Sequence, residues 1–324
     1  MIGKIIGIGA YLPEKVLTND DMAKIVETND EWITERTGIK QRHIANGVDE
    51  TTTYMASEAA KRAIEDAGID PNEIELIIVA STSPDMAFPS LACNVQAAIG
   101  IDGCACFDMN SACPGWITAY NTAQSFIEAG HIKTALVVGA ECLSNFMDWE
   151  DRGTCILFGD GAGATILQAD GNNDTNMYLL KGSGKRGGCL FAQTRKQPKK
   201  YDDPNFEKST FINMDGKEVF KFAVSEVPAI INELAQKYDI DLNEVDHFIL
   251  HQANKRIIEA AAKKLGMPIE KFPMNIQDTG NTSSASIPIL LRKMKDEGTL
   301  VHGQKIIMSS FGGGLTWGAN YLIY

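Results

Sequence analysis

Cys113 lies in a stretch whose residue types are suited to making a reactive thiol. The chain reads Asn-Ser-Ala-Cys-Pro over 110–114, after an apolar run at 104–107 that is typical of a buried strand. Apolar residues at helical spacing follow over 114–128, and a proline suits a first helical turn because it has no N–H to lose. The sequence therefore predicts a strand-to-helix junction at Cys113, where the helix dipole favours a thiolate nucleophile. A buried structural cysteine is the alternative.

Two further polar residues occupy comparable positions. His251 directly follows an apolar run at 245–250, which places it at the carboxyl end of a predicted strand, where α/β sheets hold their ligands. A lone histidine is more often a core or surface group, but this position favours chemistry. Asn281, in Gly-Asn-Thr-Ser, precedes a predicted helix and is also a residue type that caps helices well.

Three consecutive glycines at 312–314 follow another apolar strand. Glycine lets the backbone approach a ligand closely, although such a run is also common in tight turns. Backbone N–H groups of Gly313 and Cys113 are predicted to form an oxyanion hole, which stabilises negative charge on a reacting carbonyl oxygen.

The composition limits the classes of protein that the chain can belong to. Its 324 residues, 44% of them hydrophobic, suffice for two domains or one duplicated unit. A net charge of -12 argues against general nucleic-acid binding. No apolar window long enough for a membrane span is present. Seven cysteines without a C-x-x-C pair, and no export signal, predict reduced thiols in the cytoplasm and no metal site.

The chain repeats itself. An Ile-Asp-x-x-Glu pattern and an apolar strand begin at Ile69 and again at Ile240, an offset of 240 − 69 = 171 residues. The same offset relates Asn110 to Asn281, and a predicted helix begins shortly after each of these two residues. Because helices alternate with buried strands in both halves, we expect a duplicated α/β fold with a parallel-rich sheet in each half. The predicted boundaries are 1–170 for the half with Cys113 and 171–324 for the half with His251.

An insert at about 185–210 interrupts the repeat. Its first part is basic and has no acidic residue over 185–200, which predicts a solvated surface loop or, alternatively, a contact for an acidic partner. The cations are Lys185, Arg186, Arg195, Lys196, Lys199 and Lys200.

Taken together, these segments resemble the condensing enzymes of the thiolase superfamily, and most closely the β-ketoacyl-acyl carrier protein synthase III family. The resemblance covers essentially the whole chain except residues 186–206. It implies a thiolase-like fold of two pseudo-symmetric α/β halves in an α-β-α-β-α layered arrangement. The motifs that carry it occur in the family's order: Asn110 to Cys113, Gly159 to Ala164, His251 to Asn254, Gly280 to Ser283, and Ser310 to Gly314.

The resemblance implies a catalytic triad of Cys113, His251 and Asn281. Cys113 would take an acyl group from acyl-CoA, and the other two would donate hydrogen bonds while a malonyl group on an acyl carrier protein loses CO2. The resulting carbanion would attack the acyl-cysteine and start fatty-acid synthesis. Thiolases carry a second cysteine near the last glycines, where this chain has Phe311, and elongating synthases carry a second histidine in place of Asn281. The decarboxylating, CoA-primed class therefore fits best.

Further roles follow from matching positions in the family. Phe88 and Phe311 correspond to acyl-pocket residues, Phe88 reaching that of the partner subunit in a homodimer. Lys255 and Arg256 begin a basic helix suited to an acidic carrier protein. The resemblance implies no cofactor, because CoA thioesters are substrates. The CoA-binding positions are Thr28, Trp32, Arg36, Arg152, Gly216 and Asn254.

Other functions remain open on the sequence. A relative with the same triad could prime a specialised pathway or transfer acyl groups to alcohols. A Cys–His–Asn set also serves papain-like cysteine hydrolases, but the duplicated α/β pattern and the absence of Cys-Trp at the nucleophile argue against that class. A non-catalytic scaffold is disfavoured because all three residues of the triad are present.

Overall fold

The computed structural model of the protein describes residues 2–171, 175–193 and 211–324. Its first half holds strands β1 (Gly3–Tyr11), β2 (Val16–Thr18), β3 (Gln41–His43), β4 (Leu76–Ala80), β5 (Ala105–Met109), β6 (Thr134–Glu141) and β7 (Gly161–Ala169). The helices of this half are α1 (Asn19–Met22), α2 (Asp30–Thr37), α3 (Thr52–Ala67), α4 (Leu91–Ala98) and α5 (Gly115–Glu128).

The second half holds strands β8 (Met177–Gly182), β9 (Leu190–Phe191), β10 (Asn213–Met214), β11 (His247–Leu250), β12 (Lys305–Gly312) and β13 (Thr316–Ile323). Its helices are α6 (Gly216–Tyr238), α7 (Lys255–Leu265), α8 (Ile276–Thr279) and α9 (Ser286–Asp296).

The two halves contain sheets of matching order. The first sheet is ordered β1-β7-β6-β4-β5, and the second, read in the same direction, is β8-β13-β12-β11. Corresponding neighbours also have the same orientation, since β4 and β6 are parallel like β11 and β12, while the remaining shared pairs are antiparallel. The second sheet has no counterpart of β5 among the described residues, and the short helix α8 is the segment that corresponds to β5 in chain order. The sequence repeat therefore reflects a structural duplication.

Both sheets are mixed, so the expectation of parallel-rich sheets is wrong in this respect. The link from β6 to β7 contains only a short 3-10 helix, Leu143–Phe146. Without a full crossover helix, a chain leaving one strand returns antiparallel beside it. The parallel pairings occur where α4 and α5 supply crossovers between β4, β5 and β6.

Three hydrophobic clusters define five layers. One cluster joins α5 and α9 to the facing sides of both sheets, so these two helices form the central layer. A second packs α3 and α4 on the outer face of the first sheet, and a third packs α6 and α7 on the outer face of the second. This is the predicted α-β-α-β-α arrangement of a thiolase-like fold. Because α5 lies between the two sheets, nine of its fourteen residues are buried.

The strand before the nucleophile is less buried than the sequence predicts. Ala105 and Asp108 in β5 are exposed, and Phe107 is half-buried. The reason is topological, since β5 pairs only with β4 and forms an edge of the sheet. The expectation of a buried strand at 104–107 is therefore wrong, although the strand itself is present.

Of the predicted insert, residues 194–210 lie outside the described residues. The part before them forms a 3-10 helix, Gly184–Cys189, followed by β9. β9 pairs with β10, so the two ends of the insert lie beside each other. Lys185 and Arg186 belong to the described part, and the other four predicted cations do not.

Candidate active site

Cys113 lies in a tight turn between β5 and α5. Ala112 has a left-handed backbone (φ 49°), and Pro114 occupies the N-cap of the 14-residue helix. The turn is closed by a hydrogen bond from the Gly115 N–H to the Ala112 carbonyl, 2.8 Å long. Gly312 of β12 packs so tightly on the cysteine that a Cβ there would lie 2.8 Å from Cys113 Cβ. The predicted junction of strand and helix is thus present, and its position is fixed by the other half of the molecule.

His251 follows β11, as predicted, and is held from two sides. Its backbone N–H donates to the Ser309 carbonyl at 2.8 Å. Its ring meets Phe311 edge-on, with 5.5 Å between ring centroids, and the residue is 2% exposed. Nδ1 is buried and has no hydrogen-bond partner among the residues that the structure describes.

Asn281 is tied down through both its backbone and its side chain. Its N–H donates to the Leu157 carbonyl at 2.9 Å, and its carbonyl accepts from Gly159 at 3.0 Å. Its side-chain Oδ1 accepts the Ser283 N–H at 2.9 Å. Because Oδ1 is engaged in this way, the amide has its two N–H bonds left as donors. The predicted helix cap is not formed by this residue, since α9 begins at Ser286.

The three predicted catalytic side chains line one cavity of about 890 Å³. The glycines at 312–314 also line it, and its wall contains residues from both halves of the chain. The other predicted site residues on its wall are Trp32, Arg36, Gly216, Asn254, Arg256, Phe311 and Gly313. The structure thus brings together residues from positions 32 to 314 of the chain.

Four predicted site residues do not line this cavity. Arg152 lies beside it, with its guanidinium 4.9 Å from the Trp32 ring centroid. Thr28 has a buried hydroxyl without a partner among the described residues. Phe88 is 83% exposed on the surface, and Lys255 points toward Glu259 with a 3.6 Å ion pair.

Desolvation opposes the predicted thiolate at Cys113. Burial raises the pKa of the Cys113 thiol from its ordinary 9.0 to about 12, although the polar side chain of Ser283 lowers it. A helix N-terminus stabilises an anion by at most about 2 kcal/mol, little more than one pKa unit, so desolvation outweighs it. Burial likewise lowers the pKa of His251 to about 3. Thiol and imidazole are therefore both neutral at pH 7.

A buried carboxyl beside this site was missed. Glu141 ends β6 and is fully buried, and its Oε1 accepts from Ser283 at 3.2 Å and Ser284 at 2.8 Å. Burial raises the pKa of this carboxyl above its usual range, while hydrogen bonds from Ser83, Ser284 and Thr82 lower it. An acidic residue at the end of the otherwise uncharged strand 134–140 was the signal in the sequence.

No helix in the described part of the chain has the length and apolar content to cross a membrane. Among the same residues, no cluster of three or more His, Cys, Asp or Glu side chains is arranged to bind a metal ion.

The two sheets of matching order pack around a central pair of helices, and a cysteine at a helix N-terminus faces a cavity. This arrangement defines an acyltransferase of the thiolase-like class. Models of the 3-oxoacyl-[acyl-carrier-protein] synthase III family match residues 107–182 and, for its C-terminal part, 235–324. The chain belongs to this family of condensing enzymes.

Individual relatives agree with this assignment. The β-ketoacyl-[acyl-carrier-protein] synthase III of Clostridium acetobutylicum is 49% identical over 319 residues, which cover 98% of each chain. The crystal structure of the Aquifex aeolicus 3-oxoacyl-[acyl-carrier-protein] synthase III superposes with a TM-score of 0.92 at 46% identity, covering 99% of this chain and 100% of that one. A priming β-ketosynthase of the R1128 polyketide pathway gives a TM-score of 0.92 at 32% identity, covering 99% and 96%.

Proposed function

We propose that the protein condenses an acyl-CoA primer with malonyl-acyl carrier protein, releasing CoA and CO2 and forming 3-oxoacyl-acyl carrier protein. This reaction starts fatty-acid synthesis. The observation that carries the proposal is the convergence of Cys113, His251 and Asn281 on one cavity. These three residues have the roles of nucleophile and two hydrogen-bond donors.

In the first stage, Cys113 sulfur attacks the carbonyl carbon of the acyl-CoA thioester. The bond to the CoA sulfur breaks, and the acyl group remains on the enzyme. Backbone N–H groups of Cys113 and Gly313 stabilise the oxyanion, and a donor of this kind typically contributes about 3 kcal/mol to the transition state. Gly312 supports this arrangement because its missing side chain allows β12 to approach the cysteine closely.

In the second stage, the malonyl thioester oxygen gains enolate charge as CO2 leaves. His251 and Asn281 stabilise that charge as donors, and no base is needed because decarboxylation itself supplies the carbanion. A neutral imidazole suits this role, and burial keeps His251 neutral by lowering its pKa to about 3. The carbanion then attacks the acyl group on Cys113.

The CoA nucleotide is proposed to bind at Trp32. The guanidinium of Arg36 lies 4.7 Å and that of Arg152 4.9 Å from the Trp32 ring centroid. A planar adenine can replace one guanidinium on the ring, and the displaced cation can then pair with phosphate. Asn254 and Gly216 line the passage from there to Cys113. Thr28 is included in the same proposal because its buried hydroxyl has no partner in the described part of the chain.

The acyl carrier protein is proposed to dock on the start of α7. Lys255 and Arg256 are both exposed there, and Arg256 also reaches the cavity wall. A local cationic patch on a chain of net charge -12 would orient an acidic partner. A homodimer, in which the exposed Phe88 reaches the acyl pocket of a second copy, and a cytoplasmic location complete the proposal. No cofactor is required by this chemistry.

The test is the complete reaction with purified components. Acetyl-CoA and malonyl-acyl carrier protein should give acetoacetyl-carrier protein and one CO2 per product. Intact-protein mass spectrometry should find the acetyl group on Cys113, and Cys113→Ser should abolish it. If the wild-type chain were never acylated by any acyl-CoA, the proposal would be wrong. Acylation followed by transfer to another acceptor would instead favour a specialised-pathway enzyme, a role supported by the similarity to the priming ketosynthase.

A further inference from the structure

Two partly exposed thiols meet outside the active-site cavity. Cys93 lies in α4 and Cys106 in β5, and their sulfur atoms are 3.2 Å apart. Both cysteines are free, and neither lines the cavity that contains Cys113. A free cysteine commonly acts as a small apolar residue. Contact between two thiols also allows redox chemistry, because a disulfide forms when one sulfur attacks another.

The pair lies on the outer face of the first sheet. Successive residues of a strand point to opposite faces. In β5, Phe107 and Met109 pack toward the central layer, whereas Cys106 packs against the outer hydrophobic cluster that includes α4. Cys106 therefore points away from the central helix α5, at whose start Cys113 lies.

Asp108 fixes α4 and β5 relative to each other. Its carboxylate accepts the N–H groups of Leu91 and Ala92, each at 2.7 Å, so the first turn of α4 is attached to β5. Cys93 is the next residue in that turn. The contact between the sulfurs of Cys93 and Cys106 is thus supported by hydrogen bonds of the backbone on both sides of it.

Gln96 engages the third thiol of this region. Its side-chain Nε2 donates to the Cys104 sulfur at 3.2 Å and to the Cys104 carbonyl at 3.1 Å. Cys106 is therefore the thiol that contacts Cys93, although Cys104 is only two residues away from it. The three thiols do not form a metal-binding cluster in the described part of the chain.

The surroundings of Cys93 favour its thiolate, which is the reactive form of cysteine. The polar side chain of Ser90 and the Cys106 thiol lower the pKa of Cys93, although burial and the charge of Asp108 oppose this. Burial raises the pKa of Cys106 and that of Cys113. Cys93 is thus the thiol of the pair that is suited to attack an oxidant.

We propose that Cys93 and Cys106 form a redox modification site, at which a peroxide converts the two thiols into a disulfide while Cys113 stays reduced. Cys93 attacks the peroxide, and Cys106 then completes the disulfide. The site is separate from the proposed condensation and does not depend on it.

The oxidation balances in two steps. The Cys93 thiolate attacks one oxygen of hydrogen peroxide, the O–O bond breaks, and the departing hydroxide takes up the proton that Cys93 has released. The products are a sulfenic acid and one water. The Cys106 sulfur then attacks the Cys93 sulfur, the S–O bond breaks, and hydroxide leaves with the Cys106 proton as a second water. Two thiols are oxidised to a disulfide, and one peroxide is reduced to two waters.

Cleavage before each aspartate separates the thiols for analysis. It places Cys93 in peptide 85–101, Cys104 and Cys106 in peptide 102–107, and Cys113 with Cys142 in peptide 108–147. Fully reduced protein should be treated with a small molar excess of hydrogen peroxide at pH 7, blocked with an alkylating agent and digested without reductant. Mass spectrometry should find the first two peptides joined, and a dithiol reductant should separate them again.

The nucleophile should be spared under the same conditions. Peptide 108–147 should carry an alkylated Cys113. The first two peptides should become joined at least about tenfold faster than the Cys113 thiol is lost, because the thiolate and not the thiol is reactive.

Single serine variants assign the pair. Cys93→Ser should prevent the link, and Cys106→Ser should leave Cys93 as a sulfenic acid that dimedone traps. Cys104→Ser is the matched control, because it removes the other thiol of the same peptide, and it should form the link at the wild-type rate. None of the three substituted residues lines the cavity, so acetyl-CoA should acetylate Cys113 in each variant as in wild type.

Two results with the wild-type chain would overturn the proposal: peptides that stay separate after peroxide treatment, or loss of the Cys113 thiol before the link forms. A link that persists in Cys106→Ser would also overturn it, since Cys104 would then be the partner of Cys93. The measurement follows the thiols themselves, so its outcome is independent of whether the protein performs the proposed condensation.

Discussion

Ala112 and Ser283 share the same left-handed backbone conformation, with φ of 49° at each residue. They are 283 − 112 = 171 residues apart, which is the offset of the sequence repeat. Non-glycine residues seldom adopt this conformation, and it is associated with functional sites. One turn presents Cys113 and the other holds Asn281, so duplication has produced two similar turns that meet at one cavity.

The two stages of the reaction should be separable by mutation. His251→Ala and Asn281→Ala each remove a donor to the enolate oxygen, so CO2 release from malonyl-acyl carrier protein should fall by about a hundredfold to a thousandfold. Acetylation of Cys113 should stay within about threefold of wild type in both variants. Intact-protein mass spectrometry and CO2 release measure the two stages independently. Equal losses of acetylation and of CO2 release in a variant would show that the substituted residue also serves the first stage.

Folding stability should carry the signature of a histidine buried in its neutral form. The pKa of His251 is about 3 in the folded protein and about 6.5 when the chain unfolds, so the unfolded state binds more protons between these values. Stability should therefore fall as pH decreases below about 6.5, by up to about 1.4 kcal/mol per pH unit from this group. Denaturant unfolding of wild type and His251→Gln from pH 8 to 4.5 measures the difference. His131→Gln replaces an exposed histidine and should leave the pH dependence of unfolding free energy as in wild type.

Trp32 should matter for the nucleotide of CoA and not for the acyl chemistry. Trp32→Ala should raise KM for acetyl-CoA about tenfold or more, because stacking on an aromatic ring contributes about 1–3 kcal/mol per base. The rate with acetyl-pantetheine, which lacks the nucleotide, should hardly change. Arg62→Ala is a matched control, since its guanidinium stacks 5.1 Å from the Tyr11 ring outside the cavity. An equal loss with both substrates would contradict the assignment.

Arg256 should be specific for the carrier protein. Reversing its charge in Arg256→Glu should lower kcat/KM for malonyl-acyl carrier protein at least tenfold and weaken its dependence on salt. Lys263→Glu makes the same charge change about 10 Å further along α7 and should have a smaller effect. Steady-state kinetics of the two variants should be measured between 50 and 500 mM salt, which changes the electrostatic screening length about threefold. Equal losses of kcat/KM in the two variants would indicate a general electrostatic effect of charge on α7 instead of a docking contact at Arg256.

Gly312 should accept no side chain. A Cβ there would lie 2.8 Å from Cys113 Cβ and 2.9 Å from its backbone nitrogen, so β12 or the nucleophile must shift. Gly312→Ala should lower the free energy of unfolding by about 1–3 kcal/mol and reduce acetylation of Cys113. Gly184→Ala is the control, because a Cβ at that position meets nothing within 4 Å. Thermal unfolding and the acetylation assay measure both effects.

Much of the site could be predicted from the sequence because its parts follow local rules. His251 directly follows an apolar strand, and Cys113 lies in the turn between a strand and the start of a helix. Both positions are at the end of a sheet where α/β folds bind ligands. The internal repeat then related Asn281 to the cysteine segment. Glu141 obeys the same rule at the end of β6, but a single carboxylate has no spacing pattern to distinguish it. Its contacts with Ser283 and Ser284 became visible only in the tertiary structure.

The amino-acid sequence by itself determined the family, the duplicated thiolase-like fold and the three residues proposed for catalysis, because helix and strand periodicity and ordered motifs are properties of the chain. The tertiary structure decided that β5 lies at an edge, that the sheets are mixed and that desolvation opposes ionisation of the Cys113 thiol. It also buried Glu141 and surrounded it with hydroxyl donors from both halves of the chain. Desolvation and hydrogen bonds between residues 142 positions apart arise only when the layers pack together.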